Sequence, residues 1–232
     1  MLLLGLDTAT PAVTVALHDG GQPLAQLVTV DAHRHAELLA PAISKVIADA
    51  GASRADLTGV AVGVGPGPYT GLRVGIVTAR VLAAALGIPV YGVCSLDVIA
   101  ADTECAGPFL VATDARRREV YWAGYDASGA RVTGPAVVAS ADVPGKDRPV
   151  AGEGALLYPT IFDRGVGPTY PAAASLCRLV AAALAPGASG ASGAQPHGAS
   201  GGGVVELLPP DPLYLRRPDA REPGSPKRVS QS

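Results

Sequence analysis

Asp7, Thr8 and Thr10 close the apolar run Leu2–Leu6, and Asp114 closes Phe109–Thr113. A carboxylate and hydroxyls at a strand end can hold a metal-bound phosphate, and two such turns facing each other make a nucleotide cleft. The first turn is poorly equipped for that work. Wrapping a phosphate calls for consecutive backbone N–H groups, which glycine supplies best, but here Ala9 and Pro11 occupy the turn. Pro11 has no N–H to donate, and no lysine stands nearby. We therefore read Asp7, Thr8, Thr10 and Asp114 as a vestigial nucleotide cleft, with Asp7 accepting local backbone hydrogen bonds. The alternative is an independent ATPase or kinase using Asp7 and Asp114.

The other chemistry-bearing groups are sparse. Gly65-Pro66-Gly67-Pro68-Tyr69-Thr70-Gly71 precedes a helix as phosphate loops do. It lacks Gly-Lys-Ser/Thr, and its two prolines delete donors, so it shapes a strand-to-helix turn. His33 and His35 are two apart and cannot chelate from one helix face, His18 ends a hairpin and His197 lies in a Gly/Ser tract, so no metal site is expected. Ser95 lacks the Gly-x-Ser-x-Gly elbow and reads as a helix cap. Arg116-Arg117-Arg118 is the strongest basic cluster in a chain of net charge −2. It reads as a solvated turn sooner than as a nucleic-acid site.

The elements that position these groups are legible as patterns. Leu2–Asp7, Val13–Leu17 and Leu24–Val30 form an antiparallel meander. A helix from His35 to Ala50 follows, then a doubly buried strand, Val60–Val64, and a helix capped by Thr70 and stopped by Gly87. A strand at Val90–Val93 comes next. In the helix after Thr70 only Arg73, Thr78 and Arg80 are polar, too few for a surface helix of a monomer, so it is either sunk in its own core or half-covered by another protein. Gly71, Gly75, Ala79 and Ala83 form a smooth ridge that would admit a second helix, and Leu72 and Ile76 serve another apolar face. Displaced by 107 residues, Asp7 falls on Asp114, Val13 on Val120, Ala16 on Ala123 and Asp19 on Asp126, the trace of a duplication.

Residues 1–105 are thus expected to form one lobe, and 106–184 with 204–217 a smaller one. A flexible Gly/Ser tract at 185–203 and a disordered tail at 218–232 complete the chain. Cys94, Cys105 and Cys177 suit a reducing compartment. The start has no basic leader, and Arg73 and Arg80 interrupt the one long apolar run, so a cytoplasmic protein without a membrane span is expected. The fold class read from this plan is α/β: an actin-like ATPase or sugar-kinase-type duplicated two-lobed fold of βββαβα repeats with a shortened second lobe.

The segments LLLGLDTATPAVTVAL, RHAELLAPAI, VGVGPGPYTGLRVGIVTARVLAAALGIPVYGVCSLD and TDARRREVYWAGY resemble the bacterial TsaB (YeaZ) proteins, and Leu213-Tyr214-Leu215-Arg216 is similar to that family's terminal motif. The resemblance implies a non-catalytic subunit in synthesis of tRNA N6-threonylcarbamoyladenosine, without a cofactor of its own beyond weak ATP or ADP at the subunit interface. It implies pairing with a TsaD-like transferase through the first two helices, a TsaE-like ATPase joining the pair, a homodimer when the partner is absent, and tRNA held only through the complex. Carried onto this chain, the expected interface is Leu38, Leu39, Gly71, Leu72, Gly75, Ile76 and Ala79, rimmed by Arg34, His35 and Arg73. Gly75→Leu would then block pairing without harming the fold.

Overall fold

Leu3–Asp7 (β1) is apolar to its last residue and buried along its whole length, as a strand flanked on both sides must be. It pairs antiparallel with β2 (Ala12–His18) and parallel with β4 (Gly59–Gly63). β3 (Pro23–Val30) lies outside β2, and β5 (Val90–Val93) outside β4, giving the order β3-β2-β1-β4-β5. The computed structural model describes residues 1–185 and 205–216. The expected tract and tail lie outside these, except for Ala185.

One face of this sheet is covered by α1 (His35–Asp49) and α2 (Tyr69–Leu86). Leu39, Ile43, Val46 and Ile47 of α1 and Leu72, Ile76, Ala79 and Ala83 of α2 share one core with Leu4, Leu6, Val13, Val15, Val60 and Val62. The left-handed Gly87 (φ +66°) ends α2, its N–H bonding Ala83 O. Pro68, not Thr70, occupies the N-cap of α2, and Cys94, not Ser95, that of the short α3 (Ser95–Ala100). Both hydroxyl positions are already inside the helix. Among the described residues α2 is the one helix whose length and composition could span a membrane; a third of it is packed inside the protein.

The second sheet repeats the first. β6 (Phe109–Asp114), β7 (Glu119–Tyr125), β8 (Arg131–Ala139) and β9 (Val150–Ala151) take the order β8-β7-β6-β9, the equivalent of 3-2-1-4. β7 has the bounds of β2 displaced by 107, although the partner strands pair one residue out of step: Asp7 faces Thr14, whereas Asp114 faces Val120. Where the first lobe has α1, the second has the single 3-10 turn Ser140–Asp142. The five-residue α4 (Glu153–Leu157) stands in for α2.

Two segments expected in the second lobe belong to the first. α5 (Ala173–Ala183) covers the other face of the first sheet, where Leu176, Cys177 and Val180 meet Leu3, Ala61 and Val93. Contact is so close that a Cβ on Gly5 would lie 2.5 Å from Ala173 O. The returning chain then extends the sheet beyond β5: Gly92 and Leu208 exchange backbone hydrogen bonds of 2.9 and 2.8 Å, and Leu213 N–H reaches Val64 O at 2.9 Å. An apolar stripe on a helix does not say which sheet will bury it.

Candidate functional site: a filled turn, an interlobe cleft and an exposed helix face

Asp7 is not in the wall of a nucleotide site. It is 1% exposed; its Oδ1 accepts the Ala9 N–H at 2.7 Å and its Oδ2 accepts the Ser95 hydroxyl at 2.6 Å. Ser95 Oγ in turn accepts the Gly65 N–H at 3.2 Å. This chain of bonds fastens the β1–β2 turn to the loop after β4 and the start of α3. A Cβ on Gly63 would collide with the Asp7 carboxylate, so the strand has glycine there. Burial pushes the Asp7 carboxyl from 3.8 up to about 6, against the opposing pull of the Ser95 and Ala9 hydrogen bonds and the charge of His35.

Thr8 is equally committed. Its hydroxyl donates to Gly71 O at 2.7 Å and accepts the Gly75 N–H at 3.1 Å, clamping the first turns of α2 onto the end of β1. Thr10 accepts the Ala12 N–H at its hydroxyl, 3.3 Å, and lies 2.8 Å from His35 Nε2 at its carbonyl. Beyond these residues a cleft of about 260 Å³ separates the two sheets. Thr8, Thr10, Pro11 and the N-terminal ends of α1 and α2 form one wall, and Asp114, Arg116 and Glu153 the other.

Glu153 went unnoticed in the sequence. It opens α4 at 6% exposure and accepts the Asp114 N–H at 3.2 Å. Burial raises its carboxyl; the Asp114 N–H and the Arg116 charge oppose the rise, and the Asp114 charge adds to it. Its signal was a glutamate between Gly152 and Gly154 directly after a strand. Asp114 Oδ1 accepts the Arg116 N–H at 2.9 Å and its Oδ2 lies 3.6 Å from Arg116 Nε. Among the described residues no three His, Cys, Asp or Glu side chains converge as a metal site would need.

The small-residue ridge of α2 faces inward, which overturns most of the expected interface. A Cβ on Gly71 would sit 2.6 Å from Thr8 O, and one on Gly75 would overlap Thr8 Oγ1. Gly71, Leu72, Gly75, Ile76, Ala79 and, on α1, Leu39 are buried in the chain's own core. The reason is the Thr8 clamp: two hydrogen bonds between its hydroxyl and the backbone of α2 are possible only if that helix face is bare. Leu38 is half-buried against the same core, while Arg34 and Arg73 are exposed.

The opposite face of α2 is apolar and open. Tyr69, Val77 and Val81 are 50%, 54% and 63% exposed, with Ala84 and Ala85 beyond them. Ala36, Ala40, Ser44 and Ala48 run exposed along α1. A shallow groove of about 430 Å³ joins the two helices through Ala36, Tyr69, Arg73, Val74 and Val77. The returning chain frames this face. Tyr214 stacks on Tyr69 at 5.2 Å and its hydroxyl accepts Arg73 Nε–H at 3.1 Å, while Arg73 lies over the Tyr69 ring at 4.5 Å. Arg80 pairs with Asp211 at 3.3 Å. Arg216 crosses to the second lobe, donating to Ala115 O at 2.7 Å and pairing with Glu119 at 3.4 Å.

Comparison with known proteins places this architecture. Residues 28–160 match the family model "TsaD: tRNA N6-adenosine threonylcarbamoyltransferase". The chain is 48% identical to the uncharacterized protein Rv3421c of Mycobacterium tuberculosis, over 94% of this chain and 93% of that one. It is 37% identical to the tRNA threonylcarbamoyladenosine biosynthesis protein TsaB of Escherichia coli, over 54% of this chain and 55% of that one. Among solved structures, YeaZ from Pseudomonas aeruginosa superposes with a TM-score of 0.65 at 31% identity, covering 78% of this chain and 91% of its own. A second Pseudomonas aeruginosa structure, described as similar to peptidase YeaZ, superposes with a TM-score of 0.72 at 29% identity, covering 93% and 99%. With its duplicated 3-2-1-4 sheets and this set of relatives, the chain belongs to the TsaB (YeaZ) family of tRNA threonylcarbamoyladenosine biosynthesis proteins.

Proposed function

We propose that this chain is a non-catalytic subunit of the threonylcarbamoyladenosine complex and pairs with a TsaD-like transferase through the exposed faces of α1 and α2. The observation that carries this reading is the row Tyr69, Val77 and Val81: three large apolar side chains, each at least half exposed, beside the alanines of α1. Such a patch, rimmed by Arg34, Arg73 and Arg80, has the makeup of an interface core with a polar rim. The turn that would have held a phosphate supports the same reading, because Asp7 and Thr8 spend their bonding capacity on the fold. A homodimer through this face stands in when the transferase is absent. A TsaE-like ATPase joins the cytoplasmic pair, and ATP or ADP binds only weakly, at the subunit interface.

Light scattering of the purified chain mixed with its cognate transferase tests the pairing. The wild type should give one complex, and Val77→Asp with Val81→Asp should leave two separate species with unchanged helicity. Reconstituted tRNA modification then tests the role: product that requires this chain, with none from the chain alone, is the expected result. Full modification without it overturns the assignment.

A further inference from the structure

The β6–β7 turn differs from the chain's other turns in its backbone. Arg116, Arg117 and Arg118 have φ of +64°, +55° and +61°, and every other described residue in that left-handed region is glycine. A side chain with a Cβ is strained there, and three in succession are more so. The conformation is imposed from around the turn. Asp114 Oδ1 accepts the Arg116 N–H at 2.9 Å, Glu119 N–H donates to Arg116 O at 2.9 Å, and Ser140 N–H donates to Arg118 O at 2.9 Å. Arg216 holds Ala115 O from outside at 2.7 Å. Glycine or asparagine would fit the same backbone with less strain, yet the turn carries three exposed arginines in a chain of net charge −2.

Strain kept by the surroundings at an exposed charged turn points to the side chains themselves. A guanidinium offers phosphate a two-pronged donor, and arginine is the residue best suited to it. Arg116 lines the interlobe cleft, opposite the N-terminal ends of α1 and α2, whereas Arg117 and Arg118 stand outside it. That spread suits phosphates spaced along a strand better than one compact triphosphate. We propose that the Arg116–Arg118 turn is a phosphodiester contact for tRNA within the transferase complex, an inference that rests on the pairing proposed above. Contacts of this kind set position and orientation on the nucleic acid without reading its sequence.

The test is a titration of cognate tRNA transcript against the wild-type complex, the Arg117→Gly/Arg118→Gly complex and the Arg117→Lys/Arg118→Lys complex across a series of KCl concentrations. Each phosphate left without its guanidinium should lower the slope of log affinity on log salt by about 1. The glycine pair should therefore lose about 2 in slope and roughly tenfold or more in affinity at low salt. Its complex mass should be unchanged, since glycine adopts this backbone readily. The lysine pair should keep its slope. A merely structural turn would give the glycine pair unchanged affinity, and that result overturns the proposal, as does a lysine pair as weak as the glycine pair. Displacement of tRNA by ATP at equal phosphate concentration also overturns it, in favour of a nucleotide. If the wild-type chain forms no complex, the pairing reading fails by itself. The same titration on the isolated chain then decides the turn, with equal slopes, or no binding, counting against it.

Discussion

Asp7 gives the fold a pH signature. Its folded carboxyl titrates near 6 and its ordinary value is 3.8, so the folded state holds the proton more tightly than the unfolded chain. The contribution of this group to stability is therefore greatest in acid, falls as pH rises from about 4 to about 6 and is flat above; the total is roughly 3 kcal/mol. Asp7→Asn should remove that fall, giving urea-unfolding free energies that diverge from the wild type across this window. The thiols give a second expectation. Burial pushes the Cys94 thiol up to about 12 and Cys177 higher still, while Cys105 is partly exposed. DTNB should titrate one thiol rapidly in the native protein and three after denaturation. The turn chemistry of Asp7 could be read from Ala9 and Pro11 alone. Its bond to Ser95 could not, because no local pattern announces a partner so far along the chain.

Helix α2 shows how much a sequence pattern decides and where it stops. Its length, its glycine stop and its excess of apolar residues were all visible in the string of residues. Which face turns inward was not, because that depends on Thr8 reaching Gly71 and Gly75 across the sheet. Mutations on the two faces should consequently behave in opposite ways. Gly75→Ala places a methyl against Thr8 Oγ1 and should destabilise the protein by about 1–3 kcal/mol, read as a lower unfolding midpoint. Val77→Asp, on the open face, should change stability by no more than about 0.5 kcal/mol and still abolish pairing. The same logic explains Glu153: a five-residue helix gives too weak a period to flag, so its leading carboxylate surfaced only with the fold.

Over the whole molecule, the two lobes are joined by more than the connection after α3. Arg216, three-quarters buried, bonds the second lobe's Ala115 and Glu119 from a segment that is itself paired to β5. Arg216→Ala should cost about 1–3 kcal/mol and broaden thermal unfolding, as calorimetry would show, because the lobes would melt less as one unit. The duplication was legible because β1–β2 and β6–β7 retain the same order of strand, aspartate, turn and strand. The allotment of α5 and residues 205–216 was not, since nothing in an amphipathic stripe names its partner sheet.

That allotment makes the second lobe an insertion within the first, and it sets an order of events during synthesis. When the ribosome has delivered β1 to β5, one face of their sheet, with Gly5 and Leu3 on it, still lacks its cover. α5 emerges some eighty residues later, and the strand-like segment around Leu208 later again. The first lobe to be made is thus the last to be completed. A nascent chain held on the ribosome before α5 has emerged should expose a sheet face that chaperones can recognise.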